Sequence, residues 1–339
     1  MIALPEPRGA VTGLLLSALP KGVQPLRAAA PTDAEDLHLA LYLCYELHYR
    51  GLPGVDDRWE WEPSLLALRA ELEARFEGEL RRDVPLPQPR EAMDIELRAI
   101  EAADDAPSLS RHLEREGTLD QYLEFVVHRS AYQLKEADPH SWALPRLHGG
   151  PKAAMVEIQA DEYGGGDAAR IHAQLFARAM DAFDLDSRYG AYVEHLPAVT
   201  LATVNLMSMF GLHRRLRGAI VGHLALFEMT SSVPNRRYAN GLRRLGFDGD
   251  ATAFYDEHVV ADAVHENVAA VDLAGGLARD EPELAGDILW GAAALTELEG
   301  RFARHLLDAW AAGESSLRSP IEPPAAAAGT AGSPAARDR

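Results

Sequence analysis

Cysteine occurs once in 339 residues, as Cys44, which excludes internal disulfides, cysteine-rich zinc sites and cysteine-ligated iron–sulfur clusters. Any metal must therefore be held by oxygen and nitrogen. Basic residues are also in short supply: 33 lysines and arginines stand against 52 aspartates and glutamates, a formal charge of -19. Such a surface gains little counterion-release energy from a polyanion, so nucleic acid is not an expected partner. Long apolar runs are missing as well. The short apolar patch from Val11 to Leu19 has no basic stretch ahead of it, and no later run is long enough to cross a bilayer. The expectation is a cytoplasmic protein with no membrane partner. Alternating strand patterns are almost absent, which leaves an all-α fold.

What is present is apolar material, 47% of the chain, enough for a large helical core and long enough for an enzyme. Residues 1–31 show no sustained period and read as an N-terminal arm. Thr32 and Glu35 form a capping-box pattern ahead of the apolar stretch Leu37 to Tyr49, which Gly51 and Pro53 end. A second helix runs from about Pro63 to Leu80. Further helical patterns fall at roughly 91–102, 107–116, 118–137, 151–162, 167–184, 197–211, 214–230, 235–245, 250–274 and 281–312. Residues 32–312 read as one helical domain, with 32–110 as an auxiliary helical layer on a metal-binding bundle formed by 111–312. The Ala-, Pro-, Gly- and Ser-rich stretch 313–339 has little to bury and reads as a disordered tail.

Chemistry first shows at His258, Asp262 and His265. Their i, i+4, i+7 spacing places them within roughly 60° of arc on one helix. Three potential metal ligands thus share a stripe, and the neighbours Val259, Ala261 and Val264 suggest a packed helix. Spacing alone leaves a second reading open, an exposed polar face that happens to hold two histidines. Upstream, Glu136 precedes Pro139, and Glu162 and His172 flank the triplet Gly164-Gly165-Gly166. Each glycine costs about 1 kcal/mol in a helix interior, so the triplet marks either a break that lets two ligands converge or an ordinary helix end. Glu228 stands among Leu224, Leu226, Phe227 and Met229. If buried, it must be protonated, paired or bound to metal.

At these residues the chain resembles the haem-oxygenase-like diiron oxidases, often called iron-containing redox enzymes. The stretch from His128 through Gln133, Glu136 and Trp142 to Leu147, continuing through Val156 to Gly166 and His172, is similar to that family's first ligand block. His258, Asp262 and His265 match its last. The similarity spans about 30 to 310 and includes Leu43 to Gly51 and Trp59 to Pro63. It implies a haem-oxygenase-like helical bundle with seven metal ligands: Glu136, Glu162, His172, Glu228, His258, Asp262 and His265. Glu228 resembles the additional carboxylate of members that oxygenate amine nitrogen, and is given a catalytic role on that ground.

The resemblance further implies two iron ions cycling between Fe2+ and Fe3+, with O2 as co-substrate and an external electron donor, a reductase or a chemical reductant. The expected reaction is oxidation of a small amine or amino acid at nitrogen, to a hydroxylamine or nitro product, in biosynthesis. A second copy of the chain is a candidate partner. Arg236 and Arg237, after a turn at Pro234, are candidates for meeting a substrate carboxylate, although surface arginines are commoner.

Two other readings stand beside this one: an oxidase of the same family that cleaves or desaturates an aliphatic acid or amino acid, and a non-catalytic helical interaction protein. A thiaminase-like bundle would need an activated thiol, whereas Cys44 sits among Leu41, Leu43 and Leu47 like a core residue. A ferritin-like site would need two Glu-x-x-His pairs, and only Glu35 with His38 supplies one.

Overall fold

Apolar residues at helical spacing build helices along nearly the whole chain. The computed structural model describes residues 4–321, apart from the side chains of 262–264; among the described residues there is no strand. None of the helices there is long and apolar enough to cross a membrane. The N-terminal layer comprises α1 (Ala10–Ala18), α2 (Ala34–Glu46), α3 (Pro63–Asp83), α4 (Met93–Ala103) and α5 (Leu109–Arg115). The bundle beneath it comprises α6 (Leu119–Gln133), α7 (Asp138–Ser141), α8 (Gly149–Glu162), α9 (His172–Ala182), α10 (Ala198–Leu212), α11 (Arg217–Arg244), α12 (Asp250–Asn267), α13 (Gly275–Asp280) and α14 (Ala285–Ala311).

Helix α10 is apolar on nearly every side, with Leu201, Leu206 and Phe210 fully buried, and so occupies the interior. It packs against α2 on one side and α14 on the other, while α11 packs against α14, α12 and α5. The α11–α14 crossing is close because each helix offers a glycine to the other. A methyl group on Gly222 would land on the Ile288 carbonyl, and one on Gly291 on the Ala219 carbonyl. That approach fixes α11, the helix that carries Glu228.

Several expectations change. The segment read as an aperiodic arm contains α1, whose first turn is held by Asp36 of α2. That carboxylate accepts from Val11 N (3.0 Å), Thr12 N (2.8 Å) and the Thr12 hydroxyl (2.7 Å). The cap of α2 is Asp33, which accepts from Asp36 N at 3.0 Å, and not Thr32. Glu35 is unavailable for a capping box because it accepts from Arg8 and from Ala198 N. Pro234 does not divide α11. Thr230 and Ser231 in the preceding turn bond back to the carbonyls of Leu226 and Glu228, and the helix continues to Arg244. After α12 the chain widens into a π-helix over Val268–Ala274.

The tail also departs from expectation up to residue 321; the rest of it, 322–339, lies outside the described residues. Ser316 and Leu317 are buried. Ser316 donates to Glu124 from both its backbone N–H (2.9 Å) and its hydroxyl (2.5 Å), and accepts from His128 Nε2 at 3.0 Å. A composition with little to bury can still dock where one serine completes a buried polar network.

Replacing Gly222 by alanine should separate α11 from α14 and lower unfolding stability by about 2–3 kcal/mol. Denaturant titration checks this; an unchanged midpoint would contradict the close crossing.

Candidate metal centre

Three local departures from regular helix bring distant side chains together. Helix α6 ends at Gln133, and the chain turns through Lys135 and Glu136 to Ala137, a buried non-glycine residue at φ 73°. Alanine in the left-handed region is strained and persists only where its surroundings impose it. Here the imposing contact is Lys135, fully buried, whose ammonium is ion-paired with the buried Glu46 of α2. The corner aims Glu136 inward. The second departure is the glycine triplet. Gly164 has φ 71°, and a Cβ there would strike the backbone of Ile171, so glycine is needed for the tight return from α8 to α9. Glu162 at the end of α8 and His172 at the start of α9 thereby face each other, with Oε2 and Nδ1 3.0 Å apart. The third is the π segment that follows His265 on α12.

Of the seven residues singled out, six converge. Donor atoms of Glu136, Glu162, His172 and His258 all lie within 4.8 Å of one another, and so do those of Glu162, Glu228 and His265. All six are buried. Glu162 belongs to both groups. His258 Nε2 stands 3.5 Å from Glu136 and His265 Nδ1 3.4 Å from Glu228. The His172 and His258 rings lie 4.4 Å apart between centroids. Asp262 lies on α12 between the two histidines, but its side chain is outside the described residues.

Several of the polar atoms that face this space have no partner outside the cluster. Glu162 Oε2 and His172 Nδ1 face each other at 3.0 Å and His265 Nδ1 faces Glu228 at 3.4 Å, while Glu136 Oε2 is buried without a hydrogen bond. Buried polar atoms are nearly always paired, and carboxylate oxygens and imidazole nitrogens crowded onto one small volume are what a cation would satisfy. The remaining ring nitrogens are anchored. His258 Nδ1 donates to the Phe254 carbonyl at 2.8 Å, and His265 Nε2 donates to Asp161 at 2.9 Å. Each bond holds a proton on the outer nitrogen and turns the inner nitrogen towards the buried carboxylates.

Electrostatics follow from the same crowding. Burial pushes the Glu136 carboxyl up against the pull of His258, and the Glu228 carboxyl up against that of His265. Burial would raise Glu162 too, but His172, His258 and His265 outweigh it and hold it below the usual range. Burial opposes the charge on His172 and His265, yet neighbouring carboxylates win in both. Glu162 raises His172; Glu228 and Asp161 raise His265 to about 9. Beside the site, His140 Nε2 and His223 Nδ1 lie 3.1 Å apart, both driven towards neutrality by burial, His223 to about 3.

Sequence reasoning missed Asp161, although it directly precedes Glu162, and missed the cavity residues of α6. A cavity of about 460 Å³ opens from Glu136 and His258 and runs outward between α5, α6, α11 and α14. Gln133, three residues before Glu136, and Arg129 line it. Arg237 bonds instead to Ser108 and Ser110 near the cavity's outer end, and neither it nor Arg236 lines the cavity.

The family model for iron-containing redox enzymes matches residues 123–300, just over half of the chain and all of the residues that converge on the site. The chain belongs to that family, and its fold is an all-α, haem-oxygenase-like bundle. No curated protein matches it.

In metal-free protein the proton on His265 is held above the ordinary imidazole value. Its contribution to stability is therefore complete below about pH 6.5 and is lost as pH rises towards 9. Asp161→Asn should lower the His265 titration midpoint by about one unit or more, read by NMR on metal-free samples. An unmoved midpoint would remove Asp161 from this role.

Proposed function

We propose that this chain is a non-haem diiron oxygenase that uses O2 to oxidise a small amine or amino acid at nitrogen. The observation that carries the reading is Glu162, which stands in both donor groups at once. A carboxylate shared by two sets of nitrogen and oxygen donors is the arrangement that holds a pair of ions. Glu136, His172 and His258 would complete one side, and Glu228 and His265 the other, with Asp262 joining from the same stripe of α12. Carboxylate oxygen and imidazole nitrogen suit ferrous iron, and the single buried cysteine offers no soft alternative. Three buried carboxylates that cannot all ionise alone are neutralised by two divalent cations.

When bound, the iron pair would supply the electrons and Lewis acidity for reducing O2, with one oxygen atom going to substrate and the other to water. Balance then requires two electrons from an external reductant. The protein's own part is positional. The Phe254 carbonyl and Asp161 fix the tautomers of His258 and His265, and the aromatic walls of the cavity, Phe176 and Phe227 among them, exclude water from the Glu136 end. Support for nitrogen as the oxidised atom comes from Glu228, the extra carboxylate, and from Gln133. Gln133 lines the cavity beside Glu136, and its Oε1 is buried without a hydrogen-bond partner.

Anaerobic Fe(II) titration followed by exposure to O2 tests the reading. The wild-type chain should bind two irons and consume O2 with a transient visible absorption. Glu162→Ala should fall well below one iron per chain, because both sides lose a ligand, while His265→Ala should retain about one. Wild-type protein holding well under one iron would instead favour a non-catalytic interaction protein.

A further inference from the structure

The cavity that leads to Glu136 and His258 has a polar end of its own. On α6, Phe125, Arg129 and Gln133 follow at intervals of four, and Glu136 follows three residues later, so all four line one side of the cavity. Arg129 pairs with Glu299 of α14 through two parallel bonds, Nη1 to Oε1 at 2.9 Å and Nη2 to Oε2 at 2.7 Å. The guanidinium also lies over the Phe302 ring, 4.4 Å from its centroid. The pair lines the cavity on both sides, with 19% of the arginine and 28% of the glutamate side chain still open.

An open Arg–Glu pair presents a positive and a negative edge side by side. A ligand with a single charge would be attracted by one edge and repelled by the other, and would bring net charge into a space walled by Phe125, Phe302 and Leu295. A zwitterion carries both complements and adds no net charge. The α-amino acid head is such a zwitterion, with its anion and its cation on one carbon. Helical rise puts Arg129 about 6 Å from Gln133 along α6, with the corner to Glu136 beyond it, so the α-nitrogen docked at Arg129 does not reach the iron end. The side chain must span the gap. Gln133 and Tyr255 also line the cavity, and the Gln133 Oε1 and the Tyr255 hydroxyl have no hydrogen-bond partner.

We propose that Arg129 and Glu299 bind the zwitterionic head of an α-amino acid, carboxylate to Arg129 and ammonium to Glu299. Its side chain runs past Gln133 and presents a terminal nitrogen at the Glu136 end. This rests on the oxygenase reading of the metal centre for its purpose, although head-group recognition itself needs no metal. The substrate class is thus narrowed to basic amino acids with an extended side chain; simple amines and fatty acids are disfavoured.

Calorimetric binding under nitrogen tests the proposal, with iron-loaded and metal-free protein run in parallel. The probes are L-ornithine, L-lysine and L-arginine, each compared with the analogue lacking the α-carboxylate and the analogue lacking the α-amine. At least one intact amino acid should bind ten-fold or more tightly than both of its analogues. Glu299→Gln should bring that amino acid level with its deaminated analogue, and Arg129→Gln level with its decarboxylated one. Melting curves identify any variant that fails to fold, in which case the wild-type comparison decides. If every intact amino acid binds no better than its analogues, or none binds, the proposal is overturned. A sample that takes up no iron yet keeps the head-group preference would refute the oxygenase reading and leave the dock standing.

Discussion

A carboxylate buried among apolar helices must be neutralised, and this requirement governs the molecule. Glu136, Glu162 and Glu228 come from three different elements and meet inside the bundle with three imidazoles. Taking each ion out of water costs several kcal/mol unless an opposite charge and good hydrogen bonds replace the solvent. Histidine protons meet part of that need, as the raised His172 and His265 show. They do not meet all of it, since Glu136 Oε2 remains without a hydrogen-bond partner and burial still holds the Glu136 and Glu228 carboxyls up. The strained corner at Ala137 and the glycine return at Gly164 add cost on top. A fold that concentrates strain and unsatisfied charge at one point has a cation as its natural complement.

The auxiliary layer takes part in this arrangement. Glu46 of α2 reaches into the bundle to the buried Lys135, and Tyr189 donates to the same carboxylate at 2.5 Å. Lys135 is the residue before Glu136, so α2 holds the corner that turns a donor inward. The α11–α14 crossing does the equivalent for Glu228. Metal-facing groups therefore stand on helices whose positions are set by glycine contacts and a buried ion pair far from the donors themselves. The cavity runs from Arg129 on α6 to Glu136 at the corner that follows it.

Much of the centre was legible because its signals are local. The alignment of His258 with His265 is a matter of helical period, and Glu162 and His172 are joined by a glycine triplet with no helical purpose. Glu228 was marked by its apolar neighbours. What escaped is what depends on long-range partners. Nothing near Arg129 announces Glu299, 170 residues away, and nothing near Lys135 announces Glu46. Asp161 was in plain view beside Glu162, but its importance lies in facing His265 across the fold. The helix boundaries failed for the same reason. Pro234 reads as a break until hydroxyl contacts and packing carry α11 through it, and the polar tail reads as free until Glu124 and His128 claim Ser316.

The most direct test is crystallographic. Iron-loaded crystals grown without oxygen should show two anomalous peaks at the iron edge, one bounded by Glu136, His172 and His258, the other by Glu228 and His265, with Glu162 touching both. A single peak that leaves Glu228 and His265 unligated, or no peak among these side chains, would contradict the dinuclear centre.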